Sequence, residues 1–241
     1  MIKIIFHEYS VEKDKYNYTI NYLDRQFYDY GRTTINRNIA PIIWDDIANA
    51  IESTDDLNSK QGIVASFLKD YSDKHILAIS LSQSAISKYW KTIETDYFVE
   101  AAKFFDLDDY DSRPISVYLT TLNRCPYHIQ QRFFFIPFSA GLPRQSIVVM
   151  HELFHFLFLG KYESYLQQCN MSHNDIMDIN ESFVCMLNVL FRDTLMIPEQ
   201  DNKPSAEPLK ERIIKMHSRN APFRDILDDL ISYKKTTNLN S

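Results

Sequence analysis

The stretch from Pro143 to Gly160 constrains this chain most. Wound as a helix it is apolar nearly all round, through Ile147-Val148-Val149-Met150 and Leu157-Phe158-Leu159, and such a helix belongs in the interior of a fold. Gly141-Leu142-Pro143 supplies a turn and a proline suited to a first helical turn, and Gly160 stands where a cap is expected. Between Ile147 and Leu159 three polar residues interrupt this greasy rod: His151, Glu152 and His155. Residues four apart stack on one helix face, so His151 and His155 can offer two imidazole nitrogens to one cation. Glu152 projects about 100° away around the axis.

His151-Glu152-Leu153-Phe154-His155 spells HExxH. In that pattern the two histidines ligate zinc, and the glutamate, close to the ion without binding it, serves as general base for hydrolysis. Catalytic zinc normally takes three protein ligands and keeps a fourth position open. The third is expected from the next apolar segment, Asn174 to Met196, which reads as a second long helix with Ser172 and Asp175 spaced as a capping box and Pro198 beyond its end. Within it, Glu181 lies among Ile179, Phe183, Val184 and Leu187, where a carboxylate is costly unless paired or metal-bound.

HExxH followed by a glutamate on the next long helix resembles the gluzincin branch of the zincin metallopeptidases. Asn180-Glu181 matches the Asn-Glu pair of thermolysin-like members, 26 residues beyond His155. The aspartate that often follows four residues after that glutamate is Cys185 here. Asp178 and Asn180 are therefore the residues assigned to orient the ligands from behind. The metzincin continuation is absent, since Phe156-Leu157-Phe158-Leu159-Gly160-Lys161 follows the pattern. A second likeness is to the ImmA/IrrE-type metallopeptidases, through Thr194-Leu195-Met196-Ile197-Pro198. The resemblance covers residues from about 114 to 198.

It implies one zinc per chain on His151, His155 and Glu181, with Glu152 as the catalytic base. A tyrosine or histidine would stabilise the oxyanion, and Tyr162, Tyr165, His173, His217 and Tyr233 are the candidates. The implied activity is hydrolysis of peptide bonds, read here as that of an endopeptidase with a restricted protein substrate. A non-catalytic binding or regulatory protein that retains a zincin scaffold is the alternative.

The expected fold class is α+β, a helix-rich zincin-like domain with a small sheet before the active-site helix. Ile115 to Leu122 alternates apolar and polar residues and Arg132 to Phe138 is a second β-like run. Pro137 suits an edge strand, and the resemblance makes Phe133 to Phe138 a strand that aligns substrate, although aromatics of this kind are by default core. Residues 1–6 form a further short strand, ahead of a tyrosine-rich segment containing Tyr16, Tyr18, Tyr22, Tyr28 and Tyr30. Helical periodicity recurs at about 42–53, 61–71, 84–106, 207–218 and 222–234. The acidic run Asp106 to Asp111 reads as a linker, which divides the chain into a helical region, 1–110, and a catalytic region, 111–241.

Composition sets outer bounds. With 45% hydrophobic and 24% charged residues, the chain has the balance of a globular protein. Four glycines against 15 tyrosines and 16 phenylalanines favour helices around a bulky aromatic core. A net charge of −6 argues against nucleic acid as a partner. Cys125, Cys169 and Cys185 show no metal or disulfide spacing, which fits a reducing compartment. No leader or membrane-spanning run is evident, so a cytoplasmic protein is expected, with delivery into another cell as an effector left open.

Overall fold

The computed structural model describes residues 2–24, 40–200 and 204–238; Tyr28 and Tyr30 lie outside them. The elements follow in the order β1 (Ile4–Phe6), α1 (Val11–Tyr18), α2 (Asp45–Glu52), α3 (Leu57–Phe104), β2 (Ile115–Thr120), β3 (Tyr127–His128), β4 (Phe133–Pro137), α4 (Gly141–Gln168), α5 (His173–Phe183), α6 (Leu187–Leu190), α7 (Glu207–His217) and α8 (Phe223–Asn238). This is the helix-rich α+β architecture, with its small sheet ahead of the long helix that carries His151.

The described residues fall into two compact units, one drawn from 2–90 and 113–148, the other from 91–112 and 149–238. The first holds a mixed sheet in the order β1-β2-β4-β3. β1 runs parallel to β2, pairing Ile4 with Ile115 and Phe6 with Val117, which draws residues from both sides of the acidic run into one sheet. β2 runs parallel to β4, pairing Ser116 with Phe133 and Thr120 with Pro137. β3 covers the outer side of β4 only at Phe133 and Phe134. β4 is therefore an internal strand over its first half, and Pro137 falls beyond the reach of β3, where a missing N–H costs nothing to that ladder. Phe133 to Ile136 are all buried, so these aromatics are core. Tyr18, Leu23, Ala40, Ile43, Ile51, Val64, Leu68 and Leu122 form a hydrophobic cluster in the same unit.

Where separate helices are expected at 61–71 and 84–106, α3 is continuous. Between them Ile76, Leu77 and Leu81 are exposed, so the apolar stripe breaks while no proline stops the winding.

In the second unit, α4 runs past Gly160, contrary to the expected cap, because nothing crowds that glycine and the residues after it continue the helix. The stop comes at Asn170, whose φ of 59° is the left-handed conformation that ends helices. The amide of Met171 then donates to the carbonyl of Leu166 at 3.1 Å and that of Asn170 to Gln167 at 2.9 Å.

The second helix is also corrected. Ser172 caps it as expected, its hydroxyl oxygen accepting from the Asp175 amide at 3.1 Å. Helical winding then tightens to a 3-10 turn at Val184–Met186, resumes for one turn in α6, and stops at Leu190 instead of Met196. Phe191 leaves the helix with φ −117° and ψ 24° to stack on Tyr97 at 5.0 Å, and the chain reverses through amides of Thr194 and Leu195 that both donate to its carbonyl.

Candidate metal centre

Local packing places the two helices that matter. Phe158, one turn after His155, meets Phe183, two residues after Glu181, at 4.9 Å between ring centroids. Phe105 meets the same ring edge-on at 5.8 Å and Phe223 meets it tilted at 5.2 Å. Aromatic pairs at such distances add about 0.5–1.5 kcal/mol each beyond the area they bury. This knot fixes the register of α5 against α4. A hydrogen bond from the Tyr97 hydroxyl to the Met150 carbonyl, 2.7 Å, ties α3 to α4 one residue before His151. Burial holds that phenol far above its usual pKa, so it stays a donor.

With the register set, Glu181 faces both imidazoles. Its Oε2 lies 3.8 Å from Nε2 of His151 and 3.7 Å from Nε2 of His155. The rings stand at 86° to each other with centroids 4.7 Å apart, as expected of two edges turned toward a common point. One ligand atom from each of the three residues lies within 4.8 Å of the others. A tetrahedral cation with bonds of about 2.0–2.1 Å separates its donors by roughly 3.3 Å, so small side-chain movements close this cage around an ion. The set of two imidazoles and one carboxylate suits zinc or another divalent metal of the first transition row. His155 is 1% exposed, whereas His151 and Glu181 are 19% and 21% exposed. The group thus has a buried floor and an open side, the form in which water or a substrate can reach a bound ion.

The field is negative. Glu152, also buried, acts on His151 together with Glu181 and a third acid, Glu199. Burial opposes a charge on His151, and attraction to Glu199, Glu152 and Glu181 outweighs it, so its pKa is pushed up to about 9.

Glu199 is the residue that sequence reasoning missed. Its Oε1 lies 3.7 Å from Nδ1 of His151, the nitrogen turned away from Glu181. The chain reversal after Leu190 brings it there, and no periodicity announces such a reversal. Asp178, expected behind the ligands, instead accepts from Lys234 at 2.6 Å and from Ser205 at 2.9 Å, joining α5 to α8. Asn180 is buried beside Glu181.

Two of the candidate oxyanion donors are engaged elsewhere. Tyr162 donates its hydroxyl to the Phe105 carbonyl at 2.6 Å, and Tyr165 donates to Asp228 at 2.9 Å under the guanidinium of Arg224. The Arg212 guanidinium covers the ring of Tyr233 at 4.8 Å. His217 stands edge-on to Phe104 and lines a cavity of about 500 Å³ with Lys103, Leu190 and Phe223. His173 is exposed at the first position of α5, about 12 Å along the axis from Glu181.

Among the described residues no helix is long and apolar enough to cross a membrane. Compared with protein-family models, with curated proteins and with solved structures, the chain matches none.

Proposed function

We propose that this protein is a zinc-dependent peptidase. The observation that carries the reading is the meeting of Glu181 with His151 and His155, which brings a carboxylate from 26 residues downstream to within 3.8 Å of both imidazoles. His151, His155 and Glu181 would hold the ion, and when bound it supplies Lewis acidity at neutral pH.

The chain's own residues carry the proton. Glu152 follows His151 directly on α4 and is buried. It takes the proton of the attacking water and returns it to the leaving amine, a role worth typically 10²–10⁴-fold in rate. His151 and Glu181 are partly exposed, and a peptide would approach from that side.

Glu152→Gln tests this reading. Hydrolysis of a mixed peptide library, followed by mass spectrometry, should fall by at least about 10²-fold while zinc content stays unchanged. Equal turnover by the variant would remove Glu152 from the chemistry, and zinc lost with the substitution would make it a ligand.

A further inference from the structure

Residues 196–200 reverse the ordinary order of burial. Met196, Ile197, Pro198 and Gln200 are exposed, and the one acid between them turns inward, its side chain 2% exposed. Taking a carboxylate out of water is costly, whereas leaving Met196 and Ile197 in water forgoes burial, so neither choice serves the packing of this segment.

The backbone of Glu199 is fixed from both sides by one residue. Asn188 of α6 donates its Nδ2 to the Glu199 carbonyl at 2.9 Å, and its Oδ1 accepts from the Glu199 amide at 2.8 Å. From this anchor the carboxylate reaches His151, 3.7 Å from Nδ1, while Nε2 of the same ring faces Glu181 at 3.8 Å. The two nitrogens of His151 thus have separate assignments. A neutral imidazole carries one proton, and an acceptor beside one nitrogen leaves the lone pair on the other.

We propose that Glu199 is the positioning residue of His151: it keeps the proton on Nδ1 so that Nε2 presents its lone pair to a cation, and Asn188 holds Glu199 in place for that task. This rests on the reading of His151, His155 and Glu181 as a metal site. Glu199 is assigned behind the ring, not in the cage, because its oxygen faces the nitrogen turned away from Glu181. A carboxylate so placed also makes the ligating nitrogen more basic, and loss of such a partner typically weakens metal binding 10–100-fold.

The test is a zinc titration of the full chain, stripped of metal, against a chromophoric chelator. Wild type is compared with Glu199→Ala, Glu199→Gln, Asn188→Ala and Glu181→Ala, with a thermal melt of each metal-free protein and the absorption spectrum of its cobalt form. Glu199→Ala should bind zinc about 10–100-fold more weakly at unchanged stoichiometry and with the wild-type cobalt spectrum. Glu199→Gln, whose amide oxygen still accepts from Nδ1–H, should lose less, and Asn188→Ala should fall between wild type and Glu199→Ala. Undiminished affinity in a folded Glu199→Ala overturns the inference and leaves the three-residue site standing. A cobalt spectrum altered as in Glu181→Ala also overturns it, by making Glu199 a ligand. If Glu199→Ala does not fold, Glu199→Gln and Asn188→Ala decide, and wild-type affinity in both overturns the inference. No zinc bound by the wild type removes the metal site and this role together.

Discussion

Two buried carboxylate clusters, one in each unit, behave in opposite ways. Asp14 of α1 accepts from the hydroxyls of Tyr9 at 2.9 Å, Thr120 at 2.5 Å and Thr121 at 2.8 Å, and from the Thr121 amide at 3.1 Å. Every donor is neutral and at bonding distance, so Asp14 is a joint between α1 and the end of β2. Around His151 the spacing is wider. Glu181 stands 3.8 and 3.7 Å from Nε2 of His151 and His155, close to the separation of donors that share an ion, and Glu199 faces the other nitrogen of His151 at 3.7 Å. A cluster closed by its own hydrogen bonds serves stability, and one spaced like His151, His155 and Glu181 could hold an ion.

That contrast can be broken most forcefully at Phe183. Phe183→Ala should cost about 3–5 kcal/mol in denaturant unfolding, and because it releases α5 from Phe158 it should weaken zinc binding as well. An affinity that survives the substitution would separate the site from the knot. Asp14→Ala comes next, with about 3 kcal/mol lost through its abandoned donors and zinc stoichiometry retained in the folded protein. Loss of zinc there would erase the distinction between joint and guest site.

A pH series sharpens it further. In the metal-free protein the folded pKa of His151, pushed up to about 9, exceeds the ordinary value of 6.5. Its contribution is therefore full below pH 6.5 and disappears as pH rises to 9, and the metal-free melting temperature should decline over that window. Zinc must displace this proton, so apparent affinity should rise about tenfold per pH unit toward pH 9. A flat affinity profile would mean that His151 binds no metal. The smallest effect is expected at Lys234, whose ammonium lies 2.6 Å from Asp178 and 3.3 Å from Asp175 and supplies a built-in cation. Lys234→Met should cost about 1–2 kcal/mol by thermal melt and change zinc affinity by less than Phe183→Ala does.

What could be read from the sequence follows how local each signal is. His151 and His155 sit one helical turn apart, so their shared face is a property of five residues. Glu181 was legible because an acid among Ile179, Phe183 and Val184 needs a reason to be there. Glu199 was not, because its place depends on a reversal after Leu190 and on the side chain of Asn188, neither of which leaves a period. The cap assigned to Gly160 fell to Asn170 for a related reason: glycine permits a stop, but the residues after it decide whether helix continues. α3 hid its unity behind the exposed Ile76, Leu77 and Leu81. The sheet order, with β3 set outside β4, follows from pairings between strands that no single strand's pattern encodes.

The central claim is that three side chains on α4 and α5 form one metal site. Metal analysis of the protein purified without added metal, beside Glu181→Ala, tests it most directly. The account predicts close to one zinc per wild-type chain and a sharp loss in the variant, with both proteins folded. Wild-type protein that stays free of zinc even after incubation with it, or a variant that retains the full complement, would contradict the claim.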